Sequence, residues 1–345
     1  MSLDISKLLR ENIRNLKPYS SARDEFSGEA AVFLDANENP FNAPWNRYPD
    51  PHQRILKARV GEIKNIASQN IFLGNGSDEP IDLLFRAFCE PGKDNVVSIN
   101  PTYGMYRVAA DTNNIVVNLV SLNADFELEA EAVMAAVTPD TKIIFLCSPN
   151  NPTGNALDSH EMLKIIEGFE GLVVVDEAYI DFCPEKSLLP ELDKYPNLVI
   201  LQTFSKAWGM AGLRLGMAFA SELIIDVLSR IKYPYNLNIM TQQKGLELLA
   251  NDQLKLEWVA LILKERGKMI SNLNKYPFVV KVYPSDANFI LVQMHDPRGI
   301  YNYLVEEQII VRDRSSIALC EGCLRISVGS PEENATLIEA FDQLI

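Results

Sequence analysis

From about residue 70 the chain alternates short β-rich runs with amphipathic helical stretches. Candidate strands cover residues 96–99, 115–119, 143–147, 172–175, 198–202 and 216–220. Several are unbroken Val, Ile and Leu runs without polar alternation, as expected for strands covered on both faces. Helical spacing fills the gaps at 80–88, 127–137 and 159–167. This alternation predicts an α/β fold with a mostly parallel central sheet flanked by helices. After Ala220 the pattern changes. A long helical region is predicted over 239–273, with Leu246, Leu249, Leu254, Trp258, Leu261 and Leu263 at its apolar positions. Strands at 279–283, 289–292, 309–311 and 324–328 and helices at 299–306 and 331–344 complete a smaller α+β unit.

The break in periodicity at Tyr233, Pro234, Tyr235 and Asn236 marks the boundary. The expected division is an arm with part of the small domain at 1–40, a large domain at 41–232 and a small domain at 233–345. The arm is expected to pack with the small unit. Its first 19 residues place Leu3, Ile5, Leu8, Leu9, Ile13 and Leu16 among charges, the pattern of a short docking helix. It reads as neither a signal peptide nor a membrane span.

Charge and cysteine usage narrow the function. The net charge is −14, so nucleic acid is not an expected partner. A local cationic pocket for an anionic small molecule remains compatible with that charge. Five cysteines do not make a disulfide framework in a chain this long. Cys320 and Cys323 form one Cys-x-x-Cys pair, with no second pair to complete a zinc site. His52, His160 and His295 are far apart. A cytosolic protein without a metal is the expectation.

Five short strings at strand ends carry the candidate chemistry. Ligands bind at that edge in open α/β sheets. The first, Gly74-Asn75-Gly76-Ser77-Asp78-Glu79, precedes a helix whose N-terminus is an anion site, with Ser77 or Asp78 as cap. The second, Ser148-Pro149-Asn150-Asn151-Pro152-Thr153-Gly154, is a rigid turn that aims the Asn151 amide at a fixed point. The third is Asp176-Glu177-Ala178-Tyr179. An acid closing a buried strand is costly unless paired, and a protonated pyridine nitrogen would pair it. The fourth runs from Thr203 through Ser205, Lys206 and Trp208 to Arg214. Lys206 lies there among small and aromatic residues, which lower a lysine's pKa as imine chemistry requires. The fifth, Cys323-Leu324-Arg325-Ile326-Ser327, puts an arginine inside a strand, suited to bidentate capture of an anion. Arg312 and Arg314 lie just upstream.

With these strings in order, the chain resembles the fold-type I pyridoxal-phosphate enzymes, the aspartate aminotransferase superfamily. Closer signs of one branch are Lys17-Pro18-Tyr19, Asp35-Ala36-Asn37-Glu38-Asn39-Pro40, Arg47-Tyr48-Pro49-Asp50-Pro51 and Pro101-Thr102-Tyr103-Gly104-Met105-Tyr106. The resemblance implies a large pyridoxal-phosphate-binding domain and a smaller α+β domain. It implies that Lys206 holds pyridoxal 5'-phosphate covalently and acts as general base. Asp176 would meet the pyridine nitrogen, Asn151 and Tyr179 the ring hydroxyl, and Tyr103 the ring face. Ser77, Asp78, Ser205 and Arg214 would hold the cofactor phosphate, with Tyr48 reaching it from a second copy in a homodimer. Arg312, Arg325 and Tyr19 would bind the substrate's anionic end. The implied reaction is transamination of L-histidinol phosphate with 2-oxoglutarate. Aromatic amino-acid transamination and threonine-phosphate decarboxylation on the same fold remain open at this point. A cofactor-sensing regulator is not expected, because no winged-helix or basic extension precedes the fold.

Overall fold

The computed structural model describes residues 4–18 and 32–344. Seven strands form the larger sheet: β1 (Ile71–Asn75), β2 (Asn95–Asn100), β3 (Val116–Ser121), β4 (Thr141–Cys147), β5 (Leu172–Asp176), β6 (Leu198–Thr203) and β7 (Leu215–Phe219). Their order is β1-β7-β6-β5-β4-β2-β3. The pairs from β3 to β6 are parallel, and β7 runs antiparallel to both its neighbours. Since β7 is reversed against both β1 and β6, the ends of β1, β2, β4, β5 and β6 and the start of β7 share one edge.

The apolar runs form strands because each face has its own cover. Along β4, Ile144 and Leu146 enter one buried cluster, while Ile143, Phe145 and Cys147 enter the cluster on the opposite face. That is the two-residue period of a strand read against two helical layers. The Asp78–Phe88, Met105–Thr112 and Glu222–Ile231 helices cover one side. The Arg54–Lys64 and Ser159–Gly168 helices contribute to the other.

A second, antiparallel sheet has the order β10-β11-β9-β8, formed by β8 (Val279–Val282), β9 (Phe289–Met294), β10 (Arg312–Asp313) and β11 (Cys323–Ser327). Met269, Leu273, Leu304, Leu337 and Phe341 pack on it from the Asp252–Leu273, Pro297–Glu306 and Pro331–Asp342 helices. This sheet touches the larger one through Gly154, whose carbonyl accepts the Asp286 N–H at 2.7 Å. Gly154 has φ +87, and a Cβ there would lie 2.8 Å from Ser285 Oγ, so the close approach requires glycine.

Four expectations are corrected. The helical region over 239–273 is two helices, Ile239–Leu248 and Asp252–Leu273, because the Asn251 side chain caps the second. Residues 309–311 are not a strand; pairing begins at Arg312, opposite Arg325. Residues 4–16 make a 3-10 turn at Ile5–Leu8 and a short helix at Glu11–Arg14. They pack against the larger sheet's helices, with Ile5 and Leu9 buried there and the Arg10 N–H on Ala87 O at 3.0 Å, rather than against the C-terminal unit. Among the described residues, no helix is long and apolar enough to cross a membrane.

Where β1 and β7 cross the shared edge, Gly74 pairs with Gly216. A Cβ at Gly216 would collide with the backbone of Gly76 and Ser77. Gly216→Ala should therefore lower stability in denaturant unfolding by about 1–3 kcal/mol, the usual cost of overpacking. An unchanged midpoint would show that the turn yields freely.

Candidate active site

Five strand ends converge on one cavity of about 140 Å³, several times the ~30 Å³ share of one water. Gly76, Ser77 and Asp78 reach it from β1, Tyr103 from β2 and Asn151 from β4. Asp176 and Tyr179 come from β5, and Ser205, Lys206 and Arg214 from the loop joining β6 to β7. Nine of the expected cofactor contacts (all but Tyr48) thus line a single space. A larger open cleft of about 830 Å³ lies among Glu127, residues 155–161 and residues 185–191, away from all of these groups.

The cavity has an anionic floor. Asp176 is the last residue of β5 and only 2% exposed. The Tyr106 hydroxyl donates to its Oδ2 at 2.7 Å, and the Ala178 N–H donates to its Oδ1 at 3.1 Å. Burial pushes the carboxyl up to about 6, while those two donors pull the other way. Two neutral donors leave lone pairs free for a cationic N–H. Next to it, Glu177 is equally buried and accepts from Ser187, Leu188 N–H and Gln202. Its burial pushes it up to about 7.

The opposite end favours anions. The Asp78–Phe88 helix opens into the cavity, and Ser77 at its N-cap makes no side-chain bond to it. The hydroxyl expected as a cap therefore remains available to a ligand. Gly76 has φ +71, and a Cβ there would lie 2.7 Å from Arg214 Nη2. Arg214 Nη2 lies 3.5 Å from Asp78 Oδ2, and Asp78 Oδ1 accepts from the Tyr103 hydroxyl at 3.1 Å. The Ser205 N–H donates to Thr203 Oγ1 at 3.1 Å, which sets the turn before Lys206.

Between the two ends lie the groups for a ring oxygen and an aldehyde. Asn151 Nδ2 is 3.4 Å from the Tyr179 hydroxyl. The Asn151 loop is braced by Asn150, which bonds Pro101 O and Thr153 Oγ1 at 2.9 Å each. Burial raises the Tyr179 phenol, and the Arg325 guanidinium opposes this. Lys206 Nζ stands over the Tyr179 ring, 5.5 Å from its centre. Burial lowers its pKa, and Arg325 adds to the shift. An amine so held is more often neutral, the form that attacks a carbonyl. A cation-seeking floor, an anion-seeking helix end, an amide–phenol pair and an amine together fit pyridoxal phosphate.

The residues expected at the substrate's anionic end are spread more widely. Arg325 donates to Asn151 Oδ1 and lies over the Phe289 ring at 5.3 Å. Arg312 is its cross-strand neighbour and is exposed. Tyr19 lies outside the described residues. Tyr48 does not line this cavity; it is half-exposed and stacks on Tyr235 with ring centres 4.5 Å apart. Cys320 and Cys323 are free and buried, and burial pushes both up to about 12. Tyr106 closes the Pro101–Tyr106 string with no role expected of it. The available signal was its nearness to Tyr103, three residues earlier, whose ring it meets edge to face with centres 5.6 Å apart.

The family profile for class I and II aminotransferases matches residues 31–341. A protein of Bacteroides fragilis named histidinol-phosphate aminotransferase is 59% identical over 98% of both chains. The solved histidinol-phosphate aminotransferase of Clostridium acetobutylicum superposes with a TM-score of 0.80 at 23% identity, covering 87% of this chain and 91% of that one. The Sinorhizobium meliloti enzyme of the same name, solved with pyridoxal-5'-phosphate, gives 0.77 at 22% identity over 90% of each. The two structures establish the fold.

Asp176 binds its proton more readily folded than unfolded, where a carboxyl titrates near 4. Its contribution to stability therefore falls as pH rises from about 4 to about 6, by an amount of order 3 kcal/mol. Urea unfolding of the cofactor-free protein should show this decline, and Asp176→Asn should lack that share of it. Tyr106→Phe removes a donor to the ionised form and should move the decline to higher pH. A Tyr106→Phe curve identical to wild type would refute the coupling.

Proposed function

Because the chain belongs to the class I and II aminotransferases, we propose that it moves the amino group of L-histidinol phosphate to 2-oxoglutarate. The products are imidazole acetol phosphate and glutamate, and the reaction is a step of histidine biosynthesis. The observation that carries this reading is the single cavity in which Lys206, Asp176, Asn151, Tyr179 and Arg214 meet. The name shared by full-length relatives selects the substrate.

Pyridoxal 5'-phosphate, when bound, supplies an electron sink and stores the amino group between the two substrates. The remaining work belongs to this chain. Ser77, Asp78, Ser205 and Arg214 hold the cofactor's phosphate end, with the helix N-terminus behind them. Asp176 keeps a proton on the ring nitrogen, and Asn151 and Tyr179 donate to the ring oxygen. Tyr103 covers the ring face, with its hydroxyl fixed on Asp78. Lys206 anchors the cofactor. Its Nζ would also be the base that takes the proton from the donor's amine-bearing carbon. Arg325, with Arg312 and Tyr19, receives the phosphate tail of the donor and the distal carboxylate of 2-oxoglutarate in turn.

A homodimer completes the site in this reading, with Tyr48 reaching the neighbouring copy's cofactor phosphate. Phe41, Trp45, Ile55, Tyr233 and Met240 are large apolar side chains left exposed on one chain, as a subunit interface requires. The proposed compartment is the cytoplasm.

Purified wild-type protein should form glutamate from L-histidinol phosphate and 2-oxoglutarate, with little from aromatic donors and no carbon dioxide from threonine phosphate. Lys206→Ala should keep its melting behaviour yet lose at least about 10²–10⁴-fold in turnover, the usual weight of a general base. Undiminished turnover by that variant would remove Lys206 from the mechanism. Light scattering should give twice the mass of one chain.

A further inference from the structure

We propose that Arg314 is a specificity-determining residue that makes the substrate end read tail charge, favouring a dianionic phosphate over a singly charged carboxylate. This rests on the function proposed above, in which one place receives both tails.

Arg312 and Arg325 are direct cross-strand neighbours in β10 and β11. Arg314 lies two residues beyond Arg312, and its N–H donates to Cys323 O at 2.9 Å. Alternation along the strands then sets Arg312, Arg314 and Arg325 on one face of the hairpin. Among the described residues, none of the three guanidinium groups has a carboxylate partner. Acid is not scarce, since the chain carries 46 Asp and Glu against 32 Lys and Arg. Arg325 is held instead by the neutral Asn151 amide and the Phe289 ring. Arg314 is partly buried, and its Nε is buried without any hydrogen-bond partner. Burial lowers its pKa, and the two charges that add most to this are Arg325 and Arg312.

Three like charges gathered without a counterion repel one another, and a buried guanidinium N–H left unpaired is costly. An arriving anion relieves both. A carboxylate offers two oxygens and one charge, which Arg312 and Arg325 can satisfy. A phosphate monoester offers three oxygens and nearly two charges at neutral pH. The attraction to a given cation scales with ligand charge, so a third guanidinium serves the phosphate more than the carboxylate.

The test uses the holoenzyme with two amino donors, L-histidinol phosphate and L-glutamate, measured separately. Arg314→Gln should lower kcat/KM for L-histidinol phosphate on the order of 10- to 100-fold, the usual weight of a charged hydrogen bond, mainly through KM. For L-glutamate the loss should stay under about threefold, since its tail is satisfied by two guanidinium groups. Arg314→Lys keeps the charge without the fork and should fall between. Inorganic phosphate should inhibit wild type competitively and the Gln variant more weakly. The melting temperature of Arg314→Gln should be unchanged or raised, because a like charge is removed; a merely structural arginine would lower it. Equal losses for the two donors, no loss, or a fallen melting temperature would each overturn the proposal. Should wild type fail to prefer L-histidinol phosphate over unphosphorylated L-histidinol, the proposed substrate fails instead, whatever Arg314 does.

Discussion

A carboxylate at the end of a buried strand is the constraint around which this molecule is arranged. Asp176 closes β5, the middle strand of seven, and is almost wholly buried there. Ionised, it is expensive there; protonated, it is useless to a heterocycle that needs its nitrogen charged. The Tyr106 hydroxyl and the Ala178 N–H reduce that cost without neutralising the group. Tyr106 can do so because its ring is itself stacked on Phe145 of β4, 4.9 Å between centres, so the donor cannot swing away. The incomplete compensation matters. A fully paired carboxylate would have nothing left for a ligand, while this one retains an unmet demand for a cation.

The same logic of deliberate shortfall runs through the rest of the cavity. Ser77 leaves its helix uncapped by its side chain, and Arg214 has two long contacts, each 3.5 Å, with Asp78 and with the Ala211 carbonyl. Lys206 sits over a phenol ring rather than against an acid. Each of these groups would be more stable with a partner supplied by the protein, and each is positioned so that a ligand can be that partner. Local stability is given up for binding, as expected where function and packing compete. The ring interactions and backbone bonds around the site hold these groups in position. Asn150 and Thr102 lock the loop bearing Asn151, and the Thr203 hydroxyl fixes Ser205.

Much of this was legible in the residues because strand ends are written locally. The unbroken apolar run of β5 followed by Asp176 states both the burial and its cost. The same holds for Lys206 after β6 and for Asn151 after β4, each a short string with its own turn chemistry. What escaped was non-local or depended on a few residues. Tyr106 matters because it meets Asp176 from 70 positions away, a distance no pattern encodes. The arm's placement on the larger sheet follows from Ile5 and Leu9 finding a helical groove, which periodicity cannot assign to one domain over another. Ile309 and Val311 have the apolar character of a strand core, yet β10 pairs only from where Arg312 faces Arg325.

The start of β10 at Arg312 bears on how the two sheets cooperate. Pairing from Arg312 onward places Arg312 opposite Arg325, whose guanidinium donates to the Asn151 side-chain carbonyl in the loop after β4. Asn151 thus uses its oxygen to fix the second sheet and its nitrogen to approach Tyr179. One amide joins the expected ring-binding end to the expected tail-binding end. Asp286 supports the same junction through the Gly154 carbonyl, the Ala156 N–H and Lys186. A shift of the smaller sheet therefore moves Arg325 and the Asn151–Tyr179 pair together. The spacing between the reacting carbon and the tail of a substrate is then a property of how the two sheets pack, not of any single side chain.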